Sequence, residues 1–238
     1  MENENTAEFR FGAGGKTVEV YPARLPGRPV IYLNTFSGEG GRVREALSAS
    51  GCADFTLAAI SGLDWDHDMS PWDAPPLSPG DTPCTGGADD YIRLLTEEII
   101  PRTEALIPEK ALWRGLAGYS LAGLLAVYSI YRTALFSRIA SMSGSLWFPD
   151  FAEFVSAREP LAAPEAIYFS LGDREARTRN PYLCTVEERT ARIHELFAAR
   201  GAETVFVLNP GNHYKDPVGR TAAGIKWILD AQTRRSAK

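Results

Sequence analysis

The chain has 238 residues, a formal net charge of −5 and a hydrophobic fraction of 45%. This length can bury one substantial core, so we expect a single domain over residues 1–238. The acidic balance disfavours a nucleic-acid partner or an anionic membrane surface, and no apolar run in the sequence is long enough to cross a bilayer.

The N-terminus and the cysteines indicate the compartment. Residues 1–5 are acidic and polar, unlike a secretory signal. The three cysteines are odd in number, widely spaced and without a C-x-x-C pair, so they indicate free thiols with neither a disulfide framework nor a zinc site. Together these features predict a cytoplasmic protein.

Strands and helices are expected to alternate along the chain. An antiparallel pair at 8–11 and 17–21 precedes strands at 30–33, 55–60, 111–117, 138–142, 165–171 and 203–208. Helices are expected at 42–49, 88–106, 121–131, 187–200 and 218–231, with Pro101 kinking or interrupting the second of these. The pattern predicts the α/β class, with a doubly wound, mostly parallel sheet of about eight strands flanked by helices.

The segment GYSLAG at 118–123 joins a predicted strand to a predicted helix. A serine on such a sharp turn is held with its hydroxyl exposed above the sheet, as in a nucleophile elbow. Side chains two residues before and after the serine would collide, and here those positions are Gly118 and Ala122. Ser120 is therefore the candidate nucleophile. The alternative is an ordinary buried strand–turn–helix, since small residues around a serine are common.

A nucleophilic serine needs a base, and the chain has only three histidines. His213 lies in a turn-rich loop after the last predicted strand, where an α/β enzyme of this kind places its base. His194 falls in an amphipathic helix and is expected to be a surface or packing residue, whereas His67 lies in an acidic loop. His213 is the candidate base.

The acid that orients the imidazole is expected after the preceding strand, at 166–171. Asp173 and Glu175 both follow that strand, and either carboxylate could serve. If neither does, Asp150 is the next candidate. Serine, acid and histidine in this order are typical of α/β-hydrolases.

Several motifs together resemble one branch of that superfamily. They are IYLNTFSG at 31–38, GLDWDHDMSPW at 62–72, GYSLAG at 118–123, SMSGSLWFP at 141–149, LGDREARTRNP at 171–181 and GNHYKD at 211–216. The chain resembles the putative-esterase branch of the α/β-hydrolases, which includes esterase D-like, siderophore-esterase, feruloyl-esterase-like and mycolyltransferase proteins. The resemblance implies an α/β-hydrolase fold. Ala122 departs from the glycine that is more usual at that position.

The resemblance also bears on the site residues. Such relatives place the acid in a G-x-x-E arrangement, which favours Glu175. An oxyanion hole needs two backbone N–H groups, one of them from the residue after the nucleophile, here Leu121. The second comes from the loop after the third strand, and the resemblance assigns it to Phe36.

The loop at 61–87 is long and proline-rich, as loops that shape substrate choice often are. We expect it to cover the mouth of the site, with Trp65, Asp68 and Trp72 as substrate-binding candidates. The alternative is that the tryptophans only pin the loop to the body of the protein. Asp64, Asp66, His67 and Asp68 match no metal-binding spacing, so no metal is expected.

These observations predict a serine hydrolase that cleaves a small-molecule carboxylic ester through an acyl-enzyme, using Ser120, His213 and Glu175. An acyltransferase or a thioesterase would need the same three residues. A non-catalytic binding protein of the same fold is the alternative from another class. The glycines after the third strand fail the G-x-G-x-x-G pattern, so no nucleotide is indicated and no cofactor is expected.

Overall fold

A computed structural model describes residues 7–236, with side chains described up to residue 231. The strands are β1 (Phe9–Ala13), β2 (Lys16–Tyr21), β3 (Val30–Asn34), β4 (Thr56–Ser61), β5 (Asp73–Ala74), β6 (Cys84–Thr85), β7 (Arg114–Tyr119), β8 (Arg138–Met142), β9 (Ala166–Gly172) and β10 (Glu203–Asn209). The helices are α1 (Gly40–Ala49), α2 (Trp65–Asp68), α3 (Ala88–Leu94), α4 (Ile100–Glu104), α5 (Leu121–Ser129), α6 (Phe151–Ala157), α7 (Val186–Ala199) and α8 (Pro217–Ser236). Within residues 7–236, no helix has both the length and the apolar character of a membrane span.

Eight strands form one sheet in the order β1-β2-β4-β3-β7-β8-β9-β10. β1 and β2 form an antiparallel hairpin, and β2 also pairs antiparallel with β4. From β4 to β10 every neighbouring pair is parallel. The expected mostly parallel sheet is confirmed, and its parallel strands bring their carboxyl ends to one edge.

Two apolar layers cover the sheet, and β3 shows why. All five of its residues are buried, as expected for a central strand covered on both faces. Val30 and Tyr32 belong to the core layer that contains α5 and α7, whereas Ile31 and Leu33 belong to the layer that contains α1 and α8. Successive side chains of a strand point to opposite faces, so one short run supplies both layers.

Two expected elements have different boundaries in the structure. The helix predicted at 88–106 consists of α3, a π-helical turn at Leu95–Ile99, and α4. The irregular turn lies just before Pro101, which has no N–H to donate to the carbonyl four residues earlier. The strand predicted at 111–117 is observed at Arg114–Tyr119, and the residues just before it, Leu112 and Trp113, are hydrogen-bonded to Arg28 and Val30 at the start of β3.

The segment 61–87 is more ordered than a long loop. It contains α2 and the small antiparallel sheet of β5 and β6. Its anchor is Asp68, which is 7% exposed and forms an ion pair with Lys16 of β2. Asp68 also accepts the Asp64 N–H at 2.7 Å, which closes the turn of α2. The segment is thus fastened to the antiparallel edge of the sheet.

Candidate functional site

The chain leaves β7, β9 and β10 at the same edge of the sheet, and these exits carry the three candidate residues. Ser120 follows β7, Glu175 lies three residues past the end of β9, and His213 lies beyond β10. Because the strands are parallel, residues that are far apart in sequence meet there. The order of the strands in the sheet therefore brings these three residues to one region.

Ser120 occupies a sharp turn between β7 and α5, with φ 60° and ψ −124°. Few residues other than glycine adopt a positive φ, so the surroundings must hold this one. A Cβ placed on Gly118 would lie 2.4 Å from the carbonyl carbon of Ala122. A Cβ on Gly123 would lie 2.9 Å from Ser141 Oγ. The small residues are therefore needed for this turn, as the sequence predicts.

His213 connects the serine to the acid. Its Nε2 lies 3.1 Å from Ser120 Oγ, and its Nδ1 lies 2.8 Å from Glu175 Oε2. With the Nδ1 proton donated to Glu175, Nε2 is left to accept the Ser120 hydroxyl. The His213 side chain is 30% exposed, whereas that of Glu175 is 5% exposed.

The second oxygen of Glu175 is also fully engaged. Glu175 Oε1 accepts the Gly172 N–H at 2.5 Å, the Ser143 hydroxyl at 2.7 Å and an N–H of Arg220 at 3.2 Å. Burial raises the pKa of Glu175, but the hydrogen bonds from His213, Gly172 and Ser143 outweigh it and hold the pKa below its ordinary value. The group is a carboxylate at neutral pH.

The other two candidate acids lie elsewhere. Asp173 Oδ1 accepts the Gly211 N–H at 2.8 Å, so it supports the loop that carries His213 without touching the imidazole. Asp150 precedes α6 and lines a separate shallow cavity on the protein surface. Of the three carboxylates, only Glu175 contacts His213.

The N–H groups of the two expected oxyanion donors, Leu121 and Phe36, differ in their hydrogen bonding. Leu121 is the first residue of α5, so no carbonyl of the helix can reach its N–H. Thr35 donates its N–H to Ile60 at 2.9 Å, which leaves Phe36 as the next amide along the loop. The Phe36 N–H donates to Glu39 Oε1 at 3.2 Å, and the Ser37 N–H donates to the other Glu39 oxygen at 2.9 Å. The Glu39 carboxylate thus accepts the hydrogen bond of one expected oxyanion donor, the Phe36 N–H.

A cavity of about 370 Å³ opens over Ser120 and His213. Its wall includes four aromatic rings, and two of them, Phe36 and Trp65, are in edge-to-face contact at 5.0 Å between ring centres. Phe36 and Tyr214 are 69% and 84% exposed, so apolar rings stand free at the mouth. The lining residues are Phe36, Ser37, Glu39, Arg42, Trp65, Tyr119, Ser120, His213, Tyr214, Pro217, Val218 and Thr221.

Two of the expected substrate-binding residues do not line this cavity. Trp72 packs against Tyr128, Phe148 and Phe154, and its indole N–H donates to Pro149 at 3.1 Å. Asp68 is the buried anchor of α2, since Lys16 and the local backbone use its carboxylate. Of the three, only Trp65 lines the cavity over Ser120 and His213, so its lining gives no support to the predictions for Trp72 and Asp68.

The remaining histidines have structural contacts. His67 Nδ1 lies 2.7 Å from Thr85 Oγ1, which links α2 to β6. His194 packs between Phe169 and Phe206. Among residues 7–236, no cluster of three or more His, Cys, Asp or Glu side chains could hold a metal ion.

Sequence reasoning missed four side chains around the site. Ser143 and Arg220 bind Glu175, the Tyr119 hydroxyl donates to the His213 carbonyl at 2.5 Å, and Ser145 Oγ lies 3.4 Å from Ser120 Oγ. Ser143 and Ser145 lie in the SMSGSLWFP motif directly after β8, so their position at the edge of the sheet was a usable signal. Arg220 lies in a helix and carries no such signal.

Most of the chain is similar to a known family. Residues 21–216 match the model of a family described as putative esterase. An uncharacterized protein of Bacillus subtilis (strain 168), YbbA, is 24% identical over 188 residues, which cover 76% of this chain and 75% of that protein.

Two solved structures share the fold. The siderophore hydrolase EstA from Aspergillus nidulans has a TM-score of 0.71 at 17% identity, with 93% of each chain covered. An IroE-like serine hydrolase from Shewanella oneidensis has a TM-score of 0.74 at 15% identity, covering 93% of this chain and 79% of that one. At these identities the likeness extends to the fold alone.

The two tryptophans of the 61–87 segment provide a matched pair of substitutions. We expect Trp65→Ala to change kcat/KM unevenly between a short-chain and an aryl ester, since even one methylene in an apolar pocket is worth about 1–3 kcal/mol of discrimination and an indole is much larger. Trp72→Ala is expected to lower the melting temperature and to affect both esters alike, since its contacts are with the core. Kinetics on both esters with thermal melts checks this, and equal losses for Trp65→Ala would contradict it.

Proposed function

Since the chain belongs to the putative esterase family of carboxylic ester hydrolases, we propose that it works as a serine esterase with Ser120, His213 and Glu175 as a catalytic triad. The observation that carries the proposal is the continuous hydrogen-bonded chain from Ser120 Oγ through both imidazole nitrogens to Glu175, with links of 3.1 and 2.8 Å. This is the arrangement in which a serine hydroxyl can be activated for attack on a carbonyl carbon.

The first half of the reaction forms the acyl-enzyme. Ser120 Oγ attacks the ester carbonyl while its proton moves to His213 Nε2. The resulting imidazolium returns that proton to the departing alkoxide, so the alcohol leaves neutral and the acyl group stays on Ser120. Glu175 remains ionised and stabilises the imidazolium, which its lowered pKa supports.

The second half needs water at the same place. Water donates a proton to His213 Nε2 as its oxygen attacks the acyl carbon. The bond from the acyl carbon to Ser120 Oγ then breaks, and the imidazolium returns the proton to Ser120 Oγ, so the acid is released and both Ser120 and His213 are restored. The His213 side chain is 30% exposed, so water can reach it. The match to an esterase family supports hydrolysis over transfer to a second alcohol.

Negative charge on the carbonyl oxygen needs two backbone donors. We assign them to Leu121 and Phe36, as the resemblance implies. The Phe36 N–H has to exchange its bond with Glu39 for one with the substrate oxygen. Binding of the substrate therefore includes displacement of the Glu39 carboxylate from that amide.

The cavity supports a substrate of small to medium size. Its volume of about 370 Å³ lies in the usual range for small-molecule sites, and its exposed rings suit an apolar or aromatic group on the acyl or alcohol side. Trp65 extends that wall from the 61–87 segment, which overhangs the site only through its first part.

The nucleophile and the base provide the primary test. We expect Ser120→Ala to retain the fold and to lose about 10⁴-fold or more in kcat, because the members of a triad act as a unit. His213→Ala should lose about as much, with little further loss in the double variant. Steady-state kinetics on a chromogenic ester, with circular dichroism to verify folding, measures this. Wild-type turnover by folded Ser120→Ala would refute the triad.

The choice of acid is tested by two neighbouring isosteres. Glu175→Gln should lower kcat by about 10²-fold or more, since the imidazole loses its anionic partner and its preferred tautomer. Asp173→Asn retains an oxygen acceptor for the Gly211 N–H and should stay close to wild type. Parallel kcat measurements decide between them, and a severe Asp173→Asn with a mild Glu175→Gln would reverse the assignment.

The Glu39 carboxylate offers a test of the Phe36 donor. Glu39→Gln should raise kcat by about fivefold, because a neutral amide is a weaker acceptor by about 1 kcal/mol and does not repel the oxyanion. Glu45→Gln, an exposed change in α1, the helix that Glu39 precedes, is the control and should leave kcat unchanged. A fall in kcat for Glu39→Gln would mean that Glu39 acts only in shaping the loop.

A further inference from the structure

We propose that Arg220 of α8 is a positioning residue for the triad, fixing both the Glu175 carboxylate and the loop that carries His213. The inference rests on the proposed function, because it assigns how the acid and the base of that triad are held. Arg220 does not line the cavity over Ser120 and His213.

Burial of this cation is the first observation. Arg220 is 4% exposed, and a buried guanidinium requires acceptors for its N–H groups. Its Nη1 lies 3.2 Å from each of Glu175 Oε1, Ser143 Oγ and the Tyr119 hydroxyl. These acceptors come from beyond β9, from beyond β8 and from β7, so one side chain joins three strand ends.

The same guanidinium holds the loop that carries the base. Its Nη2 donates to the Pro210 carbonyl at 3.2 Å, three residues before His213. Tyr119, which accepts from Nη1, donates its own hydroxyl to the His213 carbonyl at 2.5 Å. The loop is therefore held at two backbone oxygens, one directly and one through Tyr119.

Close packing leaves this arrangement little freedom. A Cβ added to Gly172 at the end of β9 would lie 2.3 Å from the Gly211 carbonyl oxygen and 3.0 Å from Arg220 Nη2. The guanidinium therefore fills the space between the acid strand and the base loop. A smaller or shorter side chain would leave that space open and both loops without a common anchor.

The positive charge of Arg220 has a predictable effect on titration. A cation 3.2 Å from Glu175 disfavours proton binding by this carboxylate, so removing the cation raises the pKa of Glu175. Activity needs Glu175 ionised, and it would then be lost at a higher pH as the medium is acidified. The other charged or titratable groups around Glu175 and His213 are Tyr119, Tyr168, Asp173, Arg174, Tyr214, Lys215, Asp216, Glu39 and Arg42, and the substitution changes none of them.

Arg138 provides a matched control. It is 1% exposed, donates to Ile228 in the same helix α8 at 2.6 Å and stacks over Trp113. It starts β8, at the opposite edge of the sheet from the triad. Arg138→Met should therefore lower stability as a buried arginine does, without changing the titration of the site.

The experiment compares Arg220→Met, Arg220→Lys and Arg138→Met with wild type. Each protein is titrated for active sites with a fluorophosphonate, and kcat and KM are measured per labelled site from pH 5 to 9. For Arg220→Met we expect the acid limb of the kcat/KM profile, where activity falls as the pH is lowered, to shift to higher pH by about one unit. The plateau kcat should fall at least about tenfold, with KM nearly unchanged. Arg220→Lys retains the charge and should keep the limb while losing plateau kcat.

The outcomes separate this proposal from the triad itself. If wild-type Ser120 is not labelled, the proposed function fails. If wild-type Ser120 is labelled, Arg220→Met is compared with Arg138→Met. A lower melting temperature in both, with the acid limb of kcat/KM unmoved in both, would refute the role of Arg220 and leave the triad standing. Should Arg220→Met not fold, Arg220→Lys decides: wild-type kcat per labelled site would overturn the proposal, and a reduced kcat with an unmoved limb would support it.

Discussion

A buried carboxylate that must stay ionised is the constraint around which this site is organised. Glu175 is nearly inaccessible to solvent, and an uncompensated charge there would be costly. Hydrogen bonds donated by Gly172, Ser143, Arg220 and His213 compensate this charge. The four donors lie on different segments of the chain. Satisfying one charge therefore fixes the relative positions of the loops after β8, β9 and β10 and of the start of α8.

Backbone strain is concentrated at the same edge of the sheet. Ser120, Ser143 and Asp216 adopt φ values of 60°, 44° and 53°, a region that residues with a side chain seldom occupy. Ser120 is the candidate nucleophile, Ser143 binds Glu175, and Asp216 caps α8 through the Gly219 N–H at 3.1 Å. Such conformations persist only when the surroundings determine them, and the tightly packed parallel strands beneath provide that support.

The cavity has an aromatic wall that is already formed, whereas one of its proposed oxyanion donors is already hydrogen-bonded. Phe36 and Trp65 make contact across the mouth, so the aromatic surface exists without a bound molecule. The Phe36 amide, in contrast, is bonded to Glu39, whose carboxylate would face the developing charge of an oxyanion. The ring and the amide of Phe36 therefore have different partners, Trp65 of α2 for the ring and Glu39 for the amide.

Local sequence determined most of the fold, and it was enough to select Ser120 and His213 as the candidate nucleophile and base. Strand and helix periods, the small residues around Ser120 and the turn before His213 act over a few neighbouring residues, so they can be recognised without coordinates. The contacts of Glu175, the inward packing of Trp72 and the four bonds of Arg220 were decided by tertiary structure. Each joins segments distant in the chain, and only the order of the parallel strands determines which distant side chains meet.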